Sequence, residues 1–222
     1  MARPLSAVWP AGREVVDSGV RRLQEAAAAG ALADPWPQLA AGLPHRAALL
    51  DLETCGFAGS MVFLVGLIHS DGQELTLTQW LARNYAEEPS MLWSLQRQLA
   101  ECDVLLTFNG KSFDWPMVRD RCVLHRLAAP SEDFAPPHHL DLLHLARRRY
   151  RRELPDCRLQ TLERYLCGRR RAGDIPGSEI PAAYHRFART GAMDQMQSVL
   201  HHNALDLVTL LQVSLTLAAA AA

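Results

Sequence analysis

Ala47-Ala48-Leu49-Leu50-Asp51-Leu52-Glu53 is a short apolar run that carries two acids. Its length and apolarity fit a buried strand better than a helix. Side chains alternate along a strand, so Asp51 and Glu53 project from one face of the sheet. Neighbouring carboxylates repel, and burying either without a partner is costly. A divalent ion answers that cost, because Mg²⁺ takes one or two carboxylates together with water and phosphate. An exposed strand end, or an arginine paired with one acid, would answer it as well.

Working outward, residues 61–69 read as a second strand and 74–80 as a third, with the hairpin dipeptide Asp71-Gly72 between them. A helix follows over 90–100, with Leu92, Leu95 and Leu99 on one face, then a strand over 104–108 and a helix over 113–127. A short strand ends at Leu140-Asp141, and the remainder is helical apart from a loop over 168–181, closing with a long helix from about 194 to 217. A three-strand meander followed by alternating strands and helices predicts an α/β fold, a mixed β-sheet flanked by α-helices. Residues 1–45 read as an N-terminal helical extension, helical over 15–32 and broken by Pro35-Trp36-Pro37. The main domain is expected over 46–218, with a frayed tail at 219–222.

A hydrophobic share of 49% supplies a core for a chain of 222 residues. No apolar run reaches the ~18 residues of a membrane helix, and the N-terminus lacks a charged-then-apolar leader, so a cytoplasmic protein without membrane association is expected. Five scattered cysteines without a C-x-x-C pair argue against a disulfide framework or a structural zinc site. The net charge of −1 is unevenly spread: ten of the 22 arginines fall within 147–171, opposed there only by Glu153, Asp156 and Glu163. Such a stripe suits phosphates, although a solvated helix face has the same composition.

Two more acidic stretches accompany the first. In Asn109-Gly110-Lys111-Ser112-Phe113-Asp114 a strand turns into a helix: Gly110 permits the turn, Ser112 is a candidate N-cap, and Phe113 reads as a core anchor. The helix start favours an anionic Asp114, which is either a ligand or a capping carboxylate, while Asn109 and Lys111 are candidate substrate contacts. In His201-His202-Asn203-Ala204-Leu205-Asp206, His202 and Asp206 are four apart and share a helix face. Asp206 can complete a cation site, and His202 can orient or deprotonate a water. His201 is the alternative general base, reaching the acid only if the helix begins or bends there. A zinc site built on His138, His139 and His144 finds no cysteine at suitable spacing.

On Leu50-Asp51-Leu52-Glu53-Thr54, on the stretch from Phe108 to Asp114 and on His202-Asn203-Ala204-Leu205-Asp206, the chain resembles the ribonuclease H-like superfamily. More narrowly it resembles the DnaQ-like DEDD exonucleases and their YprB-type branch. The runs His139-Leu140-Asp141-Leu142-Leu143, Cys157-Arg158-Leu159-Gln160-Thr161-Leu162-Glu163 and Ile175-Pro176-Gly177-Ser178-Glu179-Ile180-Pro181 add to this likeness. The resemblance implies a 3′-5′ exonuclease using two Mg²⁺ or Mn²⁺ ions held by Asp51, Glu53, Asp114 and Asp206. It implies DNA or RNA as partner, entering as a single-stranded 3′ end gripped by the 147–171 segment and Arg158. A helicase or repair factor is a conceivable protein partner. The other branches carry Tyr four before the last Asp or His five before it, so both His202 and His201 stay open as base. A nucleic-acid-binding or complex-forming module with little turnover is the rival reading.

Overall fold

In a computed structural model that describes residues 1–56, 59–129 and 134–221, the opening run lies within a mixed six-stranded sheet. Among the described residues the strands are β1 (Ala2–Pro4), β2 (Ala47–Thr54), β3 (Val62–Ser70), β4 (Leu75–Leu81), β5 (Val104–Thr107) and β6 (His138–Asp141). Their order is β1-β4-β3-β2-β5-β6. The meander β2-β3-β4 is antiparallel, β1 adds antiparallel to β4, and β5 and β6 continue from β2 in parallel. The α/β reading therefore stands. Asp71 closes the β3–β4 hairpin by accepting from the Gln73 and Glu74 amides and the Thr76 hydroxyl, and Gly72 takes φ 93°.

Both faces of the sheet are covered. Leu50 and Leu52 of β2 point to a core shared with α4 (Glu88–Leu99), α5 (Asp114–Leu124) and α8 (Ile180–Thr190). Leu49 points the other way, toward α2 (Gly12–Ala28), α3 (Trp36–Gly42), α6 (Leu142–Tyr150) and the long α9 (Asp194–Ala219). Strand alternation places Asp51 and Glu53 on this second face, under α9. The short α1 (Leu5–Val8) and α7 (Leu159–Leu166) complete the α-helices among the described residues.

The segment ahead of β2 packs into that core. Val16, Val20 and Leu23 of α2 and Trp36 and Leu39 of α3 are buried there with Leu211 and Leu215 of α9. Gly19 allows close packing of α2 on α9, since a Cβ there would stand 2.9 Å from Leu215 Cδ1.

A buried carboxylate ties the other layer together. Glu88, with no exposed surface, accepts from the Val62 amide at 2.9 Å, from Arg121 Nε at 2.8 Å and again from the outer guanidinium nitrogen, and it pairs with His125 Nε2 at 2.8 Å. One side chain thereby fixes α4, the start of β3 and the end of α5.

Element ends moved only slightly from expectation. The tail reading changes in part: Ala219 is still helical, residues 220–221 follow as a turn, and Ala222 lies outside the described residues. No helix among the described residues is long and apolar enough to cross a membrane.

Candidate active site

Asp51 sits mid-strand on β2, opposite Gly66 of β3 and, one strand further, Gln79 of β4. Over this rank lies Asn203 of α9, fully buried. Its Nδ2 donates to Asp51 Oδ2 at 2.8 Å and to the Asp51 carbonyl at 3.2 Å. Its Oδ1 accepts from Gln79 Nε2 at 2.8 Å, and that nitrogen also donates to the Leu200 carbonyl. A Cβ on Gly66 would come within 2.1 Å of Asn203 Oδ1, so only glycine leaves room for the amide. The sequence reading missed Asn203 as an orienting group. An asparagine inside an apolar helix stripe was the available signal.

The β5–α5 turn presents Asp114. Asn109 takes the left-handed conformation at φ 62°, which asparagine tolerates better than most residues. Gly110 is required for close approach, because a Cβ there would meet Thr107 Cβ at 2.4 Å. Asp141, at the end of β6, caps α6 through the Leu143 amide and also accepts from the Asn109 and Lys111 amides. Its buried carboxylate therefore braces the turn. Ser112 does not cap α5; Phe113 holds the cap position without a side-chain bond. Phe113 is also not a core anchor, since it is 40% exposed and lines the cleft, where the tight turn leaves its ring outside.

Asp51, Asp114 and Asp206 line one cleft together with Asn109, Arg147 and Arg158. Burial raises the Asp51 pKa well above the usual carboxylate range, helped by the charges of Asp206, Glu53 and Asp114, and the Asn203 bond offsets only part of this. Glu53 is raised by burial and by Asp206, Asp114 and Asp174, against the opposing pull of His202. Asp114 is raised by burial despite backbone hydrogen bonds from itself and Leu52. Among the described residues none of these three carboxylates has a cationic side chain in ion-pair contact.

Asp206 is different, because it is flanked by positive groups. Arg171 donates to its Oδ1, and His202 Nε2 stands 3.4 Å from its Oδ2. His202 Nδ1 lies 2.9 Å from Asp174 Oδ1. Burial lowers the His202 pKa, but hydrogen bonds and charge from Asp206 and Asp174 outweigh that and raise it to about 9. With both ring nitrogens protonated near neutral pH, the ring can accept another group's proton only after losing one of its own. His201 points to solvent, so the structure brings His202, and not His201, to the carboxylates.

The basic stretch divides in two. Arg147 and Arg158 reach the cleft and are exposed, and Lys111 is exposed on the turn beside it. Arg169 and Arg171 turn inward onto Glu163, so this part of the expected phosphate grip is internal ion pairing. Arg171, with its side chain 8% exposed, was not singled out by sequence, because besides the nearby Glu163 and Asp174 it pairs with Asp206, 35 residues on in α9.

Among the described residues no three His, Cys, Asp or Glu side chains stand as a ready ligand cage. The donor set still suits a hard divalent ion: among the described residues Asp51 and Asp114 are desolvated with no cationic side chain in ion-pair contact, Glu53 has only the charge of His202 near it, and Mg²⁺ completes its shell with water. Asp51 and Glu53, Asp114 and Asp206 are the side chains that would hold it.

The RNase_H superfamily model matches residues 48–218. The YprB protein of Bacillus subtilis (strain 168) is 36% identical over 169 residues, 73% of this chain and 40% of that protein, so the chain spans about two fifths of its relative's length. The family B DNA polymerase of the hyperthermophilic archaeon Pyrobaculum calidifontis shares the fold at a TM-score of 0.60 and 16% identity, over 77% of this chain and 24% of the polymerase. The strand order, the acids on β2, α5 and α9, and the matched span agree: the chain belongs to the RNase_H superfamily and is YprB-like over most of its length.

Proposed function

We propose that the chain is a metal-dependent nuclease of the DEDD type, trimming single-stranded DNA or RNA from a 3′ end. The supporting observation is the convergence of Asp51, Asp114 and Asp206 on one cleft, with Asp51 and Asp114 in ion-pair contact with no cationic side chain among the described residues. Two Mg²⁺ or Mn²⁺ ions bound there would activate water and stabilise the leaving oxygen. Asn203 holds the Asp51 carboxylate in one orientation, and the Asp141 brace holds Asp114 toward it. Arg147, Arg158 and Lys111 contact phosphates without reading sequence, and Asn109 faces the strand from the turn. His202 takes the proton of the attacking water once it has first given up its Nε2 proton, for which the Asp206 carboxylate is the nearby acceptor.

A second reading has an observation in its favour: both Asp206 oxygens are engaged by protein cations, as suits a nucleic-acid-binding module with little turnover. The test is cleavage of end-labelled single-stranded DNA and RNA in Mn²⁺ or Mg²⁺, by the parent and by Asp51→Asn, with free and blocked 3′ ends. Stepwise shortening that disappears in the variant and on blocked ends is expected. Internal cuts on blocked strands would make it an endonuclease, and no cleavage of either polymer by the folded parent would favour the binding module.

A further inference from the structure

Part of the basic stretch is used neither by the cleft nor by internal ion pairs. The last turn of α6 holds Arg147, Arg148 and Arg149, and beyond the buried Tyr150 come its C-cap Arg151 and then Arg152. Arg149 is engaged by the fold: it pairs with Glu153, and its guanidinium lies 4.7 Å from the centre of the Tyr150 ring. Arg147, Arg148, Arg151 and Arg152 are exposed, and among the described residues no carboxylate stands within ion-pair distance of any of them. A helix C-terminus favours cations, but α4, α5, α7 and α8 each carry a single arginine in the last turn. Arg147 and Arg151, like Arg148 and Arg152, are four apart, a spacing at which like charges on a helix repel. An anion from outside the chain is what would balance them.

Arg147 lines the cleft, as does Leu143 one turn before it. His144, Arg147, Arg148 and Arg151 recur at helical spacing on the exposed side of α6, opposite the buried Leu142, Ala146 and Tyr150. At ~1.5 Å per residue this row runs on for about 6 Å past Arg147. Asp141 ties the helix to the β5–α5 turn, since its carboxylate accepts from the Leu143 amide of α6 and from the Asn109 and Lys111 amides of the turn. The row therefore has a set position relative to Asp114. Resting on the nuclease reading above, we propose that the C-terminal end of α6 is an exosite for the phosphate backbone, holding the strand behind the 3′ end that occupies the cleft. A backbone fits because it brings anions at regular intervals, and each arginine fork takes two phosphate oxygens at once. Such contacts add affinity with the length of the strand and not with its sequence.

The test is binding of single-stranded DNA and RNA in chelator over a range of salt, with strands of about 16 and about four nucleotides, the limits of common single-strand site sizes. One variant combines Arg148→Gln, Arg151→Gln and Arg152→Gln. A charge-matched control combines Arg13→Gln, Arg21→Gln and Arg22→Gln on α2, none of which lines the cleft. For the long strand the α6 variant is expected to lose about 2 from the log–log salt slope, three phosphates at ~0.7 each. The advantage of the long strand over the short one is expected to fall roughly tenfold or more, and to persist in the control. An unchanged advantage, an equal loss on both lengths, or the same loss in the control would overturn the exosite. Binding to phosphatidylglycerol vesicles that the variant loses, with strand binding kept at the parent's level, would assign the face to a membrane and overturn it too. Cleavage in Mn²⁺ separates this inference from the reading beneath it. A parent that cuts but shows no length advantage loses the exosite alone. A parent whose advantage disappears in the α6 variant, yet which cuts neither polymer, keeps the exosite and loses the nuclease.

Discussion

At the scale of single residues, the acids of the cleft are held at a cost to the metal-free fold. A desolvated carboxylate without a positive partner destabilises the protein that contains it. Asp114→Asn is therefore expected to raise the melting temperature in chelator by roughly 2–4 °C, about 1 kcal/mol for a chain of this size, while reducing the shift produced by Mn²⁺. A melt in which the variant is less stable than the parent in chelator would count against the electrostatic account. Gly66→Ala tests the amide above Asp51: the overlap with Asn203 is expected to cost about 1–3 kcal/mol in thermal unfolding. If the Asn203→Ala background tolerates the same alanine as poorly, the clash is not the cause. The acids themselves were legible, because their two- and four-residue spacings follow from strand and helix periods. Arg171, Gln79 and Gly66 were not, because their roles depend on contacts between segments far apart in the chain, which no local pattern records.

At the scale of elements, the Glu88 junction shows how a surface-looking acid becomes structural. Burial opposes its ionisation, but bonds from Arg121, His125 and the Val62 amide hold its carboxyl below the ordinary range. A depressed carboxyl contributes its stability above the unfolded value of about 4.3 and loses it as the pH falls through the folded value. The stability advantage of the parent over Glu88→Gln is thus expected to be full at pH 6 and to shrink below about pH 4; an advantage that does not change with pH would refute the assignment. Removing its partner with Arg121→Met leaves a buried charge and is expected to cost about 3–5 kcal/mol. Helix and strand positions were largely readable from apolar periodicity. The exposure of Phe113 was not, since the expected helix start differed by one residue and the cap by its chemistry.

At the scale of the whole molecule, the residues ahead of β2 share the core with α9. Leu39→Ala, at a site with no exposed surface, is expected to cost about 2–5 kcal/mol in thermal unfolding, whereas a loss well under 1 kcal/mol would mean that this layer folds independently. β1 left no sequence signal: three residues including a proline cannot show a period. The surface field gives a further expectation. If Arg147 and Arg158 each neutralise one phosphate, changing both to Gln lowers the salt dependence of single-strand binding by about 1.4 in log–log slope, and an unchanged slope would remove them from the interface.

The hydrogen bond between Asn203 and Asp51 also sets a timetable. A ribosome finishes β2, β5 and α5 long before it makes α9, so a nascent chain has Asp51 and Asp114 but neither the amide that aims Asp51 nor the acid at position 206. On the proposed activity, a nascent chain that lacks α9 would be unable to attack the messenger from which it is being translated, and a nuclease of this plan would become competent only once α9 has been made and docked on β2.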